Sequence, residues 1–230
     1  MRNPLIVIIR KAKALLFPPK KLTGTDYWTD RARKFGRRSV LNLSHGEDEY
    51  EEVTRRQKEE IFPYLRSVLS GHENTILDFG CGPGRFTPEL ALIISGKAIG
   101  VDIVPELISC APPDKDTDYL VMEEGTVPLP NESVDVIWCC LVLGGIKGIV
   151  LDRTLREMQR VLKWNGVLFL VENTAEEMSV EHWAFRQFNE YKELCRFAPL
   201  ERLHDYEDLG QRITVMAGRK SSINNTTANS

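Results

Sequence analysis

The run from Leu77 to Phe86, LDFGCGPGRF, sets Gly80, Gly82 and Gly84 at alternate positions, the first of them two residues behind the acid Asp78. Glycines at that spacing let the chain turn through positive φ and let a ligand touch the backbone. A dinucleotide fingerprint, G-x-G-x-x-G, would carry its third glycine at position 85, where Arg85 stands, and Pro83 removes an amide donor from the loop. Both departures weaken a pyrophosphate reading. Asp102 follows Gly84 by eighteen residues at the end of an apolar run, where a carboxylate can accept hydrogen bonds from two ribose hydroxyls. Adenosine without phosphate is the economical ligand. Glu123 and Glu124 come after the next apolar run, where an acid could accept from an exocyclic adenine amino group. Asp78 stands where a ligand ammonium could be held by charge-assisted hydrogen bonds.

These residues need a scaffold that brings strand ends together. The sequence predicts strands over 75–79, 97–102, 118–122, 133–143 and 166–172, alternating with helices over 85–95, 104–110 and 150–162. Continuous apolar strands that alternate with helices imply a parallel sheet covered on both faces. A helix is expected over 47–70, kinked or split at Pro63, and another over 180–196. The last strand, 212–219, alternates more and reads as an antiparallel edge. The fold class is therefore α/β, a Rossmann-like, doubly wound, mostly parallel sheet with an antiparallel final strand. Ligands of such sheets bind beyond the carboxyl ends of the strands, where every acid named above falls.

Four segments in this order and spacing, LDFGCGPGRF, GVDIVPEL, PLPNESVDVIW and LREMQRVLKWNGVLFLVEN, resemble the successive motifs of class I S-adenosylmethionine-dependent methyltransferases, in particular their small-molecule branch. The resemblance covers about residues 75–173. It implies that Asp78, Gly80, Cys81, Gly82 and Gly84 form the loop around the methionine part of S-adenosyl-L-methionine. Asp102 would bind the ribose hydroxyls, with Ile103 against the adenine face. Glu123 falls where the family often carries an adenine-contacting acid, and Glu124 is near enough to leave the register open. Leu141 would offer backbone contact to the methionine amino group. Two positions depart from the pattern. Gly144-Gly145 stand where relatives often carry a histidine, and Trp164 replaces the usual proline before strand five, leaving the turn to Asn165-Gly166.

An activated sulfonium methyl needs an in-line nucleophile in a dry site, and an oxygen acceptor gains from a general base. Of the four histidines, His182 follows strand five where relatives often place substrate-facing residues, and Glu172 ends that strand. His182 and Glu172 are the catalytic candidates; the alternative is that His182 and Trp183 only cover the pocket. The Asn/Asp-Pro-Pro-aromatic element of enzymes that methylate base amino groups is absent, which points away from DNA. A small-molecule acceptor is expected, methylated at oxygen or nitrogen: a sugar, a polyketide-like compound or a lipid-linked molecule. A non-catalytic cofactor-binding module and an NAD-dependent oxidoreductase are the competing readings.

The composition, 42% hydrophobic and 27% charged, is that of a soluble globular protein. Residues 1–40 carry eleven Lys or Arg against Asp26 and Asp30, a local +9, which leaves -12 to the rest. Within this part, residues 4–21 have the spacing of a basic amphipathic helix, suited either to packing on the domain or to a membrane surface or lipid-linked substrate. The expected organisation is a basic segment over 1–46, a methyltransferase domain over 47–220 and a disordered polar tail over 221–230. Five cysteines without metal-ligand spacing read as reduced thiols. A cytoplasmic location is expected, with a membrane-peripheral one if the basic helix binds lipid. No metal site is expected.

Overall fold

The computed structural model describes residues 24–221, so the amphipathic segment expected over 4–21 and the polar tail beyond 221 lie outside the described residues. Helix α1, Gly24–Phe35, runs into a 3-10 turn, Gly36–Val40, and is followed by α2, Tyr50–Val68. The alternating part comprises β1, Thr75–Phe79; α3, Thr87–Ile94; β2, Lys97–Asp102; α4, Pro105–Ile108; and β3, Thr117–Val121. It continues through β4, Val134–Cys140; a 3-10 turn, Leu143–Gly145; α5, Gly148–Val161; and β5, Leu162–Asn173. Helix α6, Phe188–Leu194, and strands β6, Glu201–Asp208, and β7, Gln211–Arg219, complete the domain.

The sheet order is β3-β2-β1-β4-β5-β7-β6. The first five strands pair in parallel, whereas β7 is antiparallel to both β5 and β6. The order reverses between β1 and β4, so their carboxyl ends diverge around a crevice. Period-two alternation divides the core. Val136 and Trp138 of β4 with Val167, Phe169 and Val171 of β5 pack on the face that carries Ile61, Leu65 and Leu90. Ile137, Cys139, Leu168 and Leu170 point to the other face, against Leu151, Leu155 and Met158 of α5. Such burial on both sides explains the unbroken apolar runs.

Five local expectations differ from the structure. Helix α2 runs through Pro63 without a break, because the carbonyl left without its N–H partner belongs to Glu59 on the exposed face. Strand β4 stops at Cys140 and Leu141 turns into the left-handed region at φ 57°. Strand β5 begins at Leu162, and Asn165, at φ 60°, marks a register shift inside it where a turn was expected. The helix expected over 180–196 is confined to 188–194, and residues 174–187 form a loop with a single bridge between Val180 and Trp183. Finally, β7 is interior. The edge is β6, a strand with charged residues at five of eight positions, joined to β7 by a two-residue turn with both Leu209 and Gly210 at positive φ. Charge on an edge strand discourages pairing with other chains.

The aromatic centre of the sheet is Trp138, fully buried, stacked on Phe169 at 5.2 Å and met edge-on by Phe86 at 5.4 Å and Phe62 at 5.7 Å. Trp138→Ala is expected to cost about 3–5 kcal/mol in urea unfolding, the range for emptying a large aromatic site; a loss below about 1 kcal/mol would show that the stack contributes little.

Candidate functional site

The glycine loop is fixed before any ligand binds. The Gly80 and Cys81 N–H groups both donate to the Val101 carbonyl, at 2.8 and 3.0 Å, tying the loop to β2. The Asp102 carboxylate accepts from the Gly82 N–H at 2.8 Å and the Val104 N–H at 2.9 Å. Gly80 has φ 73°, and a Cβ there would lie 2.5 Å from Val142 Cγ2, so no other residue fits.

A cavity of about 350 Å³ opens at these strand ends. Asp78, Gly80, Cys81, Asp102, Ile103, Glu124, Leu141 and His182 line it, whereas Gly82, Gly84, Glu123 and Glu172 do not. Gly82 and Gly84 turn the loop at φ 55° and 73°. Of the two glutamates, Glu124 lines the cavity and accepts the Thr25 N–H at 2.7 Å, whereas Glu123 is not part of the lining. Glu172 is fully buried beneath the loop after β4. It accepts the N–H groups of Val142, Leu143 and Gly144 at 2.9, 2.7 and 3.3 Å and the Tyr191 hydroxyl at 3.3 Å. This places Glu172 as the support of that loop, out of reach of the cavity.

Sequence reasoning passed over Arg85, noted only as the residue that breaks a dinucleotide pattern. The structure buries it against the cavity, with Nη1 donating to Thr54 Oγ1 at 3.3 Å and the guanidinium 4.6 Å from the Phe86 ring centroid. No carboxylate lies within ion-pair distance of it among the described residues. Burial lowers its pKa, partly offset by nearby groups that include Asp78. The Asp78 carboxyl accepts the Thr87 hydroxyl at 2.6 Å and is pushed up to about 7 by burial, against the pull of that hydrogen bond and of Arg85. A charged residue within an otherwise apolar and glycine-rich run was the available signal.

Helix α1 and loop 174–187 cover the cavity. Tyr27 stacks on His182 with centroids 4.5 Å apart, and Trp28 lines the wall. Lys147 Nζ donates to the carbonyls of Val180 and Glu181, and the Ala184 N–H donates to the Gly144 carbonyl at 2.7 Å. A Cβ on Gly144 would sit 2.3 Å from the Trp183 indole, which accounts for glycine where a histidine was expected. His182, exposed on one side, has its pKa lowered by burial and by the positive charges of Arg31 and Lys147, so neutral imidazole dominates near pH 7. Cys81 and Cys139 are buried thiols whose pKa values are raised well above the ordinary range, and Cys140 is raised to about 12, mainly by desolvation, so all three stay protonated. All five cysteines are free, and among the described residues no cluster of side chains could hold a metal ion.

Comparison with known proteins agrees with this geometry. A methyltransferase-domain family model matches residues 77–170. An uncharacterized methyltransferase of Schizosaccharomyces pombe is 29% identical over 163 residues, covering 70% of this chain and 62% of that protein. A malonyl-[acyl-carrier protein] O-methyltransferase of Yersinia pestis is 26% identical, covering 70% of this chain and 60% of that protein. The chain spans between 42% and 62% of the length of these curated relatives and of a methyltransferase-like protein of the same yeast. The PH0226 protein of Pyrococcus horikoshii shares the fold, with a TM-score of 0.62, 14% identity, and coverage of 83% of this chain and 99% of that one. Residues 77–170 thus match a methyltransferase domain, and the fold is one shared with S-adenosylmethionine-dependent methyltransferases of known structure.

Glu172 is, like Asp78, pushed up to about 7, with burial outweighing its three backbone hydrogen bonds. In the unfolded chain a glutamate titrates near 4.3. Between about 4.3 and 7 the folded state therefore holds a proton that the unfolded state has lost, and this contribution to stability declines as pH rises through the window. The stability difference between the wild type and Glu172→Gln, measured by urea unfolding at pH 5 and pH 7.5, is expected to shrink at the higher pH. A difference that grows would show that Glu172 is ionised throughout.

Proposed function

We propose that the protein transfers the methyl group of S-adenosylmethionine to an oxygen or nitrogen of a small-molecule acceptor. One observation supports this most: the order of groups along the cavity. Crossing from β4 through β1 and β2 to β3, the lining offers Leu141, then Asp78 with Arg85, then Asp102, then Met122 and Glu124. Strands about 4.8 Å apart make that path roughly 14 Å long. It matches a zwitterionic amino acid, a ribose and a purine in turn. The residues fit the cofactor: a buried cation without a carboxylate partner would take its carboxylate, Asp78 its ammonium, Asp102 its ribose hydroxyls, and Glu124 the adenine amino group with Ile103 on the ring face.

When bound, the cofactor supplies a methyl carbon on positively charged sulfur that leaves as a neutral thioether. The protein's own part is positional. Loop 142–146, pinned by Glu172 from below and by Arg186 through the Leu143 and Ile146 carbonyls at 2.7 Å each, holds the acceptor side of the cavity rigid. His182 is the base assigned here for a hydroxyl acceptor: neutral, held by Tyr27, it takes the proton as the acceptor oxygen bonds to carbon. Sugar, polyketide-like and lipid-linked compounds are the preferred acceptors. The +9 charge of residues 1–40 supports contact between the 1–46 segment and a membrane surface or lipid-linked substrate. Equal partitioning onto anionic vesicles by the full chain and a chain lacking residues 1–20 would remove that part of the proposal. Among the described residues no helix is long and apolar enough to cross a membrane.

Calorimetric titration tests the central reading. S-adenosylhomocysteine should bind and NAD should not, and Arg85→Met should weaken S-adenosylhomocysteine about tenfold or more, the loss of a charge-assisted contact. Binding of NAD in its place would overturn the reading. Incubation with labelled S-adenosylmethionine and fractionated extract should label a small molecule; no label anywhere, with S-adenosylhomocysteine binding intact, would favour a non-catalytic module.

A further inference from the structure

A second cavity, of about 300 Å³, adjoins the first: Trp28, Val40, Leu141 and His182 line both. Of the shared residues Leu141 follows the carboxyl end of β4, where the cofactor path begins, and Trp28, Val40 and His182 come from α1, the turn 36–40 and the loop 174–187. The walls of the second cavity come from elements the cofactor residues do not use: the turn 36–40, helix α2, and the β5, β6 and β7 ends. Their chemistry is mixed. Trp28, Trp183 and Phe185 offer flat apolar faces, and the opposite character comes from Ser39, Gln57 and Asp208.

The two charged groups in this wall are already engaged. Arg31 donates through Nε to the Ser39 carbonyl at 2.6 Å, through Nη2 to the Leu41 carbonyl at 2.7 Å and through Nη1 to the Tyr27 hydroxyl at 3.1 Å. Asp208 pairs with His45 Nε2 at 3.0 Å. Two neutral groups are not engaged. Gln57 Oε1 and Ser39 Oγ are fully buried atoms without a hydrogen-bond partner, on residues that are 5% and 1% exposed. Buried polar atoms are paired as a rule, and two orphans on residues that line one cavity point to a ligand that completes them. An amide oxygen only accepts, so the missing partner is a donor.

We infer that this second cavity receives the methyl acceptor, and that Gln57 and Ser39 select a neutral ring compound that donates hydroxyl or amino hydrogens to them. The inference rests on the methyl-transfer reading above and narrows its substrate class. Flat side chains suit a ring face. A carboxylate or phosphate, ionised and acceptor-only, leaves Gln57 Oε1 unpaired and loses affinity by about tenfold or more. The polar half of the acceptor is thus held away from the sulfonium, and the reacting atom is directed to the shared boundary beside His182.

The test uses the full chain saturated with S-adenosylhomocysteine and two matched ring probes, resorcinol and benzoate, titrated by ligand-observed NMR. Resorcinol should bind at least tenfold more tightly than benzoate. Gln57→Leu should weaken resorcinol about tenfold, and Gln57→Glu, which keeps the accepting oxygens, should stay within about threefold of the wild type. Ser39→Ala should weaken resorcinol in the same direction. S-adenosylhomocysteine affinity should remain within about twofold in each variant, because neither residue lines the first cavity. Benzoate binding as tightly as resorcinol, no resorcinol binding, or an unchanged resorcinol affinity in Gln57→Leu would each overturn the inference. Failure of the wild type to bind S-adenosylhomocysteine would instead reject the methyl-transfer reading.

Discussion

The Asp102 carboxylate holds two loops at once, one oxygen on the Gly82 N–H and the other on the Val104 N–H. A parallel sheet ends all its strands at one edge, and each strand leaves behind a loop whose donors must be satisfied without a neighbouring strand. Here buried side chains meet that requirement. Asp102 serves the first two loops, Glu172 serves the loop after β4, and Asp78 takes the Thr87 hydroxyl at the start of α3. The same edge is where a ligand enters, so the groups that complete the fold also shape the site. Asp102 uses one lone pair of each oxygen on the backbone and keeps others for a ligand, which lets one residue do both jobs.

Burial gives the site its electrostatic character. Arg85 and Asp78 share a low-dielectric pocket without forming a close ion pair, and each is held by a neutral hydroxyl, from Thr54 and Thr87. Such a pair is poorly solvated and only partly compensated. In the proposed reading an amino-acid zwitterion, offering the opposite charge to each, would replace what water supplies. Preorganisation of this kind reduces the reordering that binding requires. At the other end the apolar side chains of Ile103, Leu107 and Met122 suit the faces of a purine, with Glu124 beside them for its amino group in the proposed reading.

Much of the parallel half was legible in the sequence. The runs before Gly80, Asp102 and Leu141 are apolar because both of their faces are covered, whereas the edge strand β3 before Glu123 leaves Leu120 and Val121 exposed. What escaped notice had no periodic signature. Strand β6 is made of Glu201, Arg202, Asp205 and other polar residues, and only pairing with β7 makes it a strand. Glycine at 144 records the presence of Trp183, thirty-nine residues away, which a linear reading cannot see. The burial of Arg85 depends on α2, whose Thr54 takes its Nη1, a contact that a linear reading does not show. Glu172 was read as a catalytic candidate, yet its neighbours in space turn it towards backbone N–H groups and away from the cavity.

The two-residue turn at Leu209-Gly210 has a wider consequence. Because β7 returns antiparallel, the turn brings Asp208 and Gln211 to the same edge as the parallel strands' carboxyl ends. The family match, 77–170, spans the residues assigned to the cofactor, while Ser39, Gln57, Asp208 and Gln211 all lie outside it. On the proposed reading the domain carries two half-sites encoded largely in separate stretches of one chain. Changes in the flanks would then retune what is methylated without disturbing the groups assigned to the methyl donor.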